Sequence, residues 1–256
     1  MIDREEFTDW HDLQDSVCRL LQDVGLIANT EVNIGTPRGS VEVDVYAIDM
    51  DSLDNISYVI ECKNWNTKIP QAIVHSFTTV MHETGANIGY LITKRGLQSG
   101  AESYIKNTNI HGLTYEEFQR RYFSAWWDRY FCPTVGDAAY RVHLYTEPQN
   151  TRCWHAYETL SLEEKIKFQK LRGKYSAIIS FLMMFSMKRD FFINDYPSFL
   201  EVPKSLSEQK EKMNLIVSPY MDMNCSNFRD LHAKLLEFIT GTENEFNTIF
   251  GGYMCD

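Results

Sequence analysis

No two cysteines, and no cysteine and histidine, stand at the spacing of a zinc site, although Cys18, Cys62, Cys132, Cys153, Cys225 and Cys255 are scattered along the chain. Such isolated thiols predict reduced side chains in a cytoplasmic protein. Long hydrophobic runs are missing as well. The longest, Ala177 to Met187, has 11 residues and includes two serines, against the ~20 needed to cross a bilayer, so no membrane partner is expected. The first residues, Met1 to Phe7, lack the basic start and apolar stretch of a secretion signal. Glycine (13) and proline (7) are too few for a low-complexity tract, and with 44% hydrophobic residues the chain is expected to fold throughout. Positive charge is also short, 25 Lys and Arg against 35 Asp and Glu, for a net charge of -10. That argues against coating nucleic acid by bulk attraction, but not against an enzyme with one local basic face.

A chain of 256 residues fits a domain of ordinary size with a helical extension. Trp10, Leu13, Val17, Leu20, Leu21 and Val24 recur at helical spacing, with Asp9 placed to cap the start and Gly25 to end it. A short strand is predicted from Glu31 to Ile34, a turn over Thr36 to Gly39, and strands over Ser40–Asp49 and Ile56–Lys63 around an acidic hairpin loop. Pro70 opens a helix carrying Ile73, Val74, Phe77, Val80 and Met81, which Gly85 ends. A buried strand over Ile88–Thr93, a short helix over Ser99–Lys106 and a strand over Ile110–Thr114 follow. Thr114 and Glu117 then form a capping box for a helix to about Tyr130. This order predicts an α/β fold with a mixed sheet over residues 1–125, and a mainly helical region over 126–256. In the second part Ser161 and Glu164 form another capping box, the helix they start is expected to break near Gly173, and Leu231, Leu235, Phe238 and Ile239 mark a later helix.

The chemistry concentrates on the two central strands. Strand side chains repeat every two residues, so Glu42 and Asp44 share one face of the first, and Glu61 and Lys63 one face of the second. Neighbouring strands can bring Asp44, Glu61 and Lys63 together. Two carboxylates among apolar strand residues need a partner, and a divalent cation serves; Mg²⁺ takes only one or two protein carboxylates, so Asp44, Glu61 and a main-chain carbonyl suffice. Lys63 would then sit beside the attacking water. The bland alternative is a cross-strand ion pair on a solvated sheet face.

Other motifs are weaker. Glu42, at the strand's start, reads as a solvated carboxylate. The loop Asp49, Asp51, Asp54 fails the calcium-loop pattern, with Asp54 where glycine is required and Ile60 where glutamate is. His75 reads as packed or capping. Ser99-Gly100-Ala101 has no nucleophile-elbow flanks, and Thr36 to Ser40 lacks the spacing of a phosphate loop. Lys68, Lys94 and Arg95 follow elements that end near the expected catalytic edge and are candidate phosphate contacts, with plain solubility as the alternative. Lys165, Lys167, Lys170, Arg172 and Lys174, with Phe168 and Tyr175 among them, form either a solvated basic helix face or a nucleic-acid grip.

The pattern Asp44, then Glu61-Cys62-Lys63, after a capped helix and before helix-strand-helix, resembles the PD-(D/E)xK restriction-endonuclease superfamily, most closely its Mrr-type branch. The resemblance extends through Asn64-Trp65, Pro70-Gln71, Val74 to Phe77, Gly85 to Asn87, Ile92-Thr93, Gly100-Ala101 and Leu113 to Phe118. It implies that Asp44 and Glu61 bind metal (Mg²⁺ or Mn²⁺), that the Cys62 carbonyl completes the site, and that Lys63 is the catalytic lysine. Gln14 holds the first-helix place where members often carry a polar or acidic residue, without the charge that a glutamate would bring to a second metal ion, and Gln71 matches a position near the site. Val43 stands where the superfamily's name has proline. The resemblance further implies a role in prokaryotic defence.

The reading that follows is a metal-dependent endonuclease acting on DNA. Double-strand cutting needs two active sites, so a homodimer is expected. The rival is a protein that retains the fold as a nucleic-acid-binding or interaction module without cleaving, and RNA cleavage is a third reading.

Overall fold

The computed structural model describes residues 1–4, 6–147, 150–190 and 197–254, and Cys255 lies outside them. Two compact units are present: Arg4–Trp126, and Met1–Asp3 with Trp127–Asp256.

The first unit opens with α1 (Trp10–Asp23), whose start is capped by the Asp9 carboxylate accepting from the Asp12 N–H at 3.0 Å. Gly25, at φ 97°, takes the left-handed turn after its end. Strands β1 (Ile27–Thr36), β2 (Gly39–Asp49), β3 (Ile56–Lys63), β4 (Ile88–Thr93) and β5 (Ile110–Thr114) lie side by side in that order. The pairings β1–β2–β3 are antiparallel and β3–β4–β5 parallel, which makes a mixed sheet. The parallel connections are helical, through α2 (Gln71–Thr84) and α3 (Ser99–Ile105). Pro70 precedes α2 and Gly85 closes it at φ 67°. β1 is longer than the predicted Glu31–Ile34. Ile27, Asn29, Glu31 and Asn33 are exposed and alternate with the more covered Ala28, Thr30, Val32 and Ile34, and the polar Asn29, Thr30 and Asn33, which an edge strand tolerates, hide that alternation in the sequence.

Val59 and Leu91 of the sheet pack with Val74, Phe77 and Met81 of α2 and with Leu97 and Ala101. Gly89 allows this approach, because a Cβ there would lie 2.7 Å from Phe77 Cε1 and Met81 Sδ. The Thr114–Glu117 capping box starts α4 (Tyr115–Trp126), with the Thr114 N–H donating to Glu117 at 2.7 Å.

In the second unit, the helix predicted to stop near Tyr130 instead passes through a π-helical turn (Trp127–Phe131) into α5 (Cys132–Thr146). Helices α6 (Thr151–Thr159), α7 (Leu162–Met183), α8 (Met187–Asp190), α9 (Leu206–Val217) and α10 (Phe228–Phe250) follow. α7 starts at the Ser161–Glu164 capping box and is unbroken at Gly173, contrary to the expected interruption. A helical glycine costs only about 1 kcal/mol, and Phe168, Tyr175, Ile178, Ile179 and Leu182 are buried on either side of it. Met1–Asp3 belong to this unit: the Phe228 and Arg229 N–H groups donate to Met1 and Ile2 carbonyls at 3.1 and 2.8 Å, and Arg229 pairs with Asp3 at 3.2 Å.

Among the described residues no helix is long and apolar enough to cross a membrane. Cys18, Cys62 and Cys132 are buried free thiols, and Cys225 is a half-buried one.

Candidate active site

The site forms where β2 loses its pairing on both sides. Toward β3 the ladder runs from Asp49↔Ile56 to Val45↔Ile60 and stops; one further step would set Asp44 opposite Glu61. Toward β1 the pairs Thr30↔Val45 and Val32↔Val43 skip Asp44 and Glu31, and Glu31 adopts φ 52°. A non-glycine residue in this region costs roughly 1–3 kcal/mol and persists only where its surroundings hold it. β3 meanwhile stays paired with β4 through Lys63↔Thr93. In the gap, the Asp44 carboxylate takes over as acceptor, and the Cys62 N–H donates to its Oδ2 at 2.7 Å.

Asp44, Glu61 and Lys63 are therefore neighbours, and Lys63 Nζ forms an ion pair with Glu61 Oε1. The Glu61 carboxyl is pushed above its ordinary value, first by burial and then by the Asp44 charge, and the Lys63 hydrogen bond offsets this only in part. Burial raises the Cys62 thiol well above its usual range, so it is an inert side chain rather than a thiolate ligand. The two carboxylates strain one another in a partly desolvated place, and a cation would relieve that. Among the described residues no group of three or more His, Cys, Asp or Glu side chains gathers, so a cation here would rest on two carboxylates, a carbonyl and waters, a set that suits Mg²⁺.

Asp44, Cys62 and Lys63 line a cleft of about 480 Å³ together with Asp9, Trp10, Asn64 and Trp65. Asn64 also borders a smaller cavity of about 170 Å³ at the ends of β4 and β5, lined by Phe7, Thr93, Lys94 and Tyr115 among others.

The remaining predicted residues lie in three places. Gln14 is 2% exposed on the inner face of α1 beside Leu13 and Val17. Gln71 bonds His75 at 3.2 Å and sits over the Gly100 backbone, while exposed His75 lies against the Tyr104 ring. These contacts belong to the α2–α3 junction rather than to the carboxylates. Lys68, Lys94 and Arg95 are exposed on segments joined where β3 and β4 end, through the Ile69↔Leu97 bridge and the Ile69 N–H donating to the Gly96 carbonyl at 3.0 Å. Glu42 is exposed, and Asp49 Oδ1 accepts from the Asp51 N–H at 3.1 Å within the hairpin loop.

Trp10 departs from expectation. Its spacing places it on the apolar face of α1, yet it is 47% exposed, because the first helical residue overhangs the end of the buried stripe. Its position directly after the cap was the available signal.

Residues 6–122 match the family model described as restriction endonuclease, named Mrr_cat. No curated protein matches the chain. Among solved structures, the one titled as the crystal structure of a protein of unknown function, AF1548, is similar at 20% identity and a TM-score of 0.35. The match covers 41% of this chain and 58% of that one. A five-stranded mixed sheet flanked by helices lies beneath the family match, and residues 6–122 are similar to restriction endonucleases of the Mrr type.

Proposed function

We propose that the chain is a metal-dependent endonuclease that hydrolyses phosphodiester bonds in DNA, with Asp44 and Glu61 as metal-binding acids and Lys63 as the catalytic lysine. The observation that carries this is the gap in the β2 ladder, which turns Asp44 toward the end of β3 beside the Glu61–Lys63 pair. Glu61 and the free oxygen of Asp44 offer anionic ligands, and the Cys62 carbonyl completes the set. A bound Mg²⁺ or Mn²⁺ would neutralise the non-bridging phosphate oxygens and make water more acidic. Asp44, held by the Cys62 N–H, keeps its carboxylate fixed without a search among rotamers. Lys63, beside Glu61, would orient the attacking water and offset charge developing on the phosphate. Lys68, Lys94 and Arg95, exposed where β3 and β4 end, would hold flanking phosphates. Cutting both strands calls for two such sites, which a homodimer supplies.

Plasmid nicking with Mg²⁺ or Mn²⁺ tests the reading. The native chain is expected to cut, with Asp44→Ala and Lys63→Ala each slower by about 10²–10³-fold. Absence of metal-dependent cutting of any DNA or RNA by the native chain would overturn it.

A further inference from the structure

We infer that Trp10 and Trp65 are stacking platforms for unpaired nucleobases at the mouth of the carboxylate cleft, so that the strand delivered to Lys63 is single. The inference rests on the nuclease reading for its substrate class. Five tryptophans are present. Trp126 and Trp127 are fully buried and Trp154 is half-buried, whereas Trp10 and Trp65 are 47% and 42% exposed. Those two line one cleft, and it is the cleft that holds Asp44 and Lys63. Exposed indole is unfavourable in water, and two indoles at the rim of one polar cleft are the arrangement that takes up flat apolar rings.

Trp10 is also held in place. Its ring stacks on His11 with centroids 3.3 Å apart, and His11 Nε2 lies 3.7 Å from Glu31, the residue at positive φ across from Asp44. The distortion that frees Asp44 from the ladder thus brings Glu31 to the residue behind Trp10. Trp65 follows Lys63 by two residues on the segment leaving β3.

Charge points the same way. Residues 4–126 carry ten Lys and Arg against seventeen Asp and Glu, so phosphate attraction is a poor source of affinity. Stacking supplies affinity that does not depend on net charge, and every base has a face for it. Bases in an intact duplex have no such face to offer.

The test is fluorescence anisotropy with the full chain in EDTA. The probes are a labelled single-stranded DNA 20-mer, its blunt duplex, the same-length single-stranded RNA, and an abasic DNA strand. The expected result is single-strand DNA binding at least about tenfold tighter than duplex binding, and near-complete loss with the abasic strand. Trp10→Ala and Trp65→Ala are each expected to weaken single-strand binding about tenfold and to leave duplex binding within about twofold. Trp10→Phe and Trp65→Phe, which keep an aromatic face, should retain it. Equal affinity for duplex and single strand, undiminished binding of the abasic strand, or alanine variants that melt and bind like the native chain would each overturn the inference. Base-dependent, strand-selective binding without cleavage would refute the nuclease reading and uphold this one. Plasmid cutting without strand-selective binding would do the reverse. RNA bound as tightly as DNA supports the inference and assigns the unpaired base, rather than the sugar, as the recognised group.

Discussion

Aromatic and charged residues are interleaved in both units, with opposite results. On α7 the basic stretch from Lys165 to Lys174 has its aromatic members turned inward, Phe168 being 1% and Tyr175 4% exposed. Its cations are largely engaged within the unit: Lys165 with the Glu158 carbonyl at 3.0 Å, Lys167 with Glu163 at 2.8 Å, Arg172 with the Thr146 carbonyl at 3.2 Å. In the first unit the surroundings are acidic, yet Trp10 and Trp65 face outward over a carboxylate cleft. A basic run with aromatics therefore describes a well-made helix on α7, while the surface suited to nucleic acid lies where the net charge argues against it. What distinguishes the two is whether backbone pairing is complete. α7 is unbroken, whereas β2 gives up its ladder at Asp44.

The largest test of this contrast is Glu61→Gln. It is expected to slow metal-dependent cutting by at least about 10²-fold, and to raise the melting temperature of the metal-free protein at neutral pH, because a buried charge beside Asp44 is removed. The sign follows from the raised carboxyl: the metal-free fold is favoured by Glu61 below the unfolded value near 4.5 and loses that contribution as pH rises through the folded one. Mg²⁺ should accordingly stabilise the native chain more at pH 8 than at pH 5, and Glu61→Gln hardly at all. A variant as active as the native chain would break the contrast.

The second unit has its own titrating group, with the opposite sign. His232 is 4% exposed, its ring beside the Thr134 hydroxyl at 2.6 Å, and burial with the nearby Arg229 charge pulls it down to about 4. The unfolded chain takes the proton near 6.5, so stability is complete above that value and is lost as pH falls toward about 4. The loss is on the order of 3 kcal/mol. Calorimetric melting from pH 7 to pH 4 should show it, and His232→Gln should flatten the profile. An unchanged slope in the variant would assign the loss elsewhere.

Packing gives a smaller comparison. A Cβ at Gly136 would lie 2.2 Å from the Ser186 backbone nitrogen, whereas one at Gly89 would meet the side chains of Phe77 and Met81. Both alanine variants are expected to destabilise by about 1–3 kcal/mol, Gly136→Ala more, because backbone yields less readily than a methionine. Equal denaturant midpoints would count against that ranking. The smallest effect is expected on α7: replacing Lys165, Lys167 and Lys170 together with alanine should change single-strand affinity by less than about twofold, and a tenfold loss would make that helix a nucleic-acid grip after all.

Much of the first unit was legible because its signals are local. Val-Glu-Val-Asp-Val and Tyr-Val-Ile mark β2 and β3 by period, Pro70 and Gly85 bracket α2, and Thr114 with Glu117 opens α4. That Asp44, Glu61 and Lys63 share a face follows from the same period of two. The strand splay could not be read, since it depends on which residues pair across β1, β2 and β3. The burial of Gln14 and the outward turn of Trp10 were hidden too, because helical spacing shows which residues share a stripe but not where the covering sheet ends. Gly173 misled for the opposite reason: its local signal is real, but tertiary packing along α7 outweighs it. The π-helical turn at Trp127–Phe131 has no sequence mark that we can identify.

Two carboxylates are drawn to one place by a broken strand ladder. A crystal structure of the full chain soaked in Mn²⁺, read by anomalous scattering, tests this most directly. A single peak bridging Asp44, Glu61 and the Cys62 carbonyl, absent from Asp44→Asn crystals, is the predicted result. Mn²⁺ bound elsewhere, or retained at that spot in the variant, would contradict it.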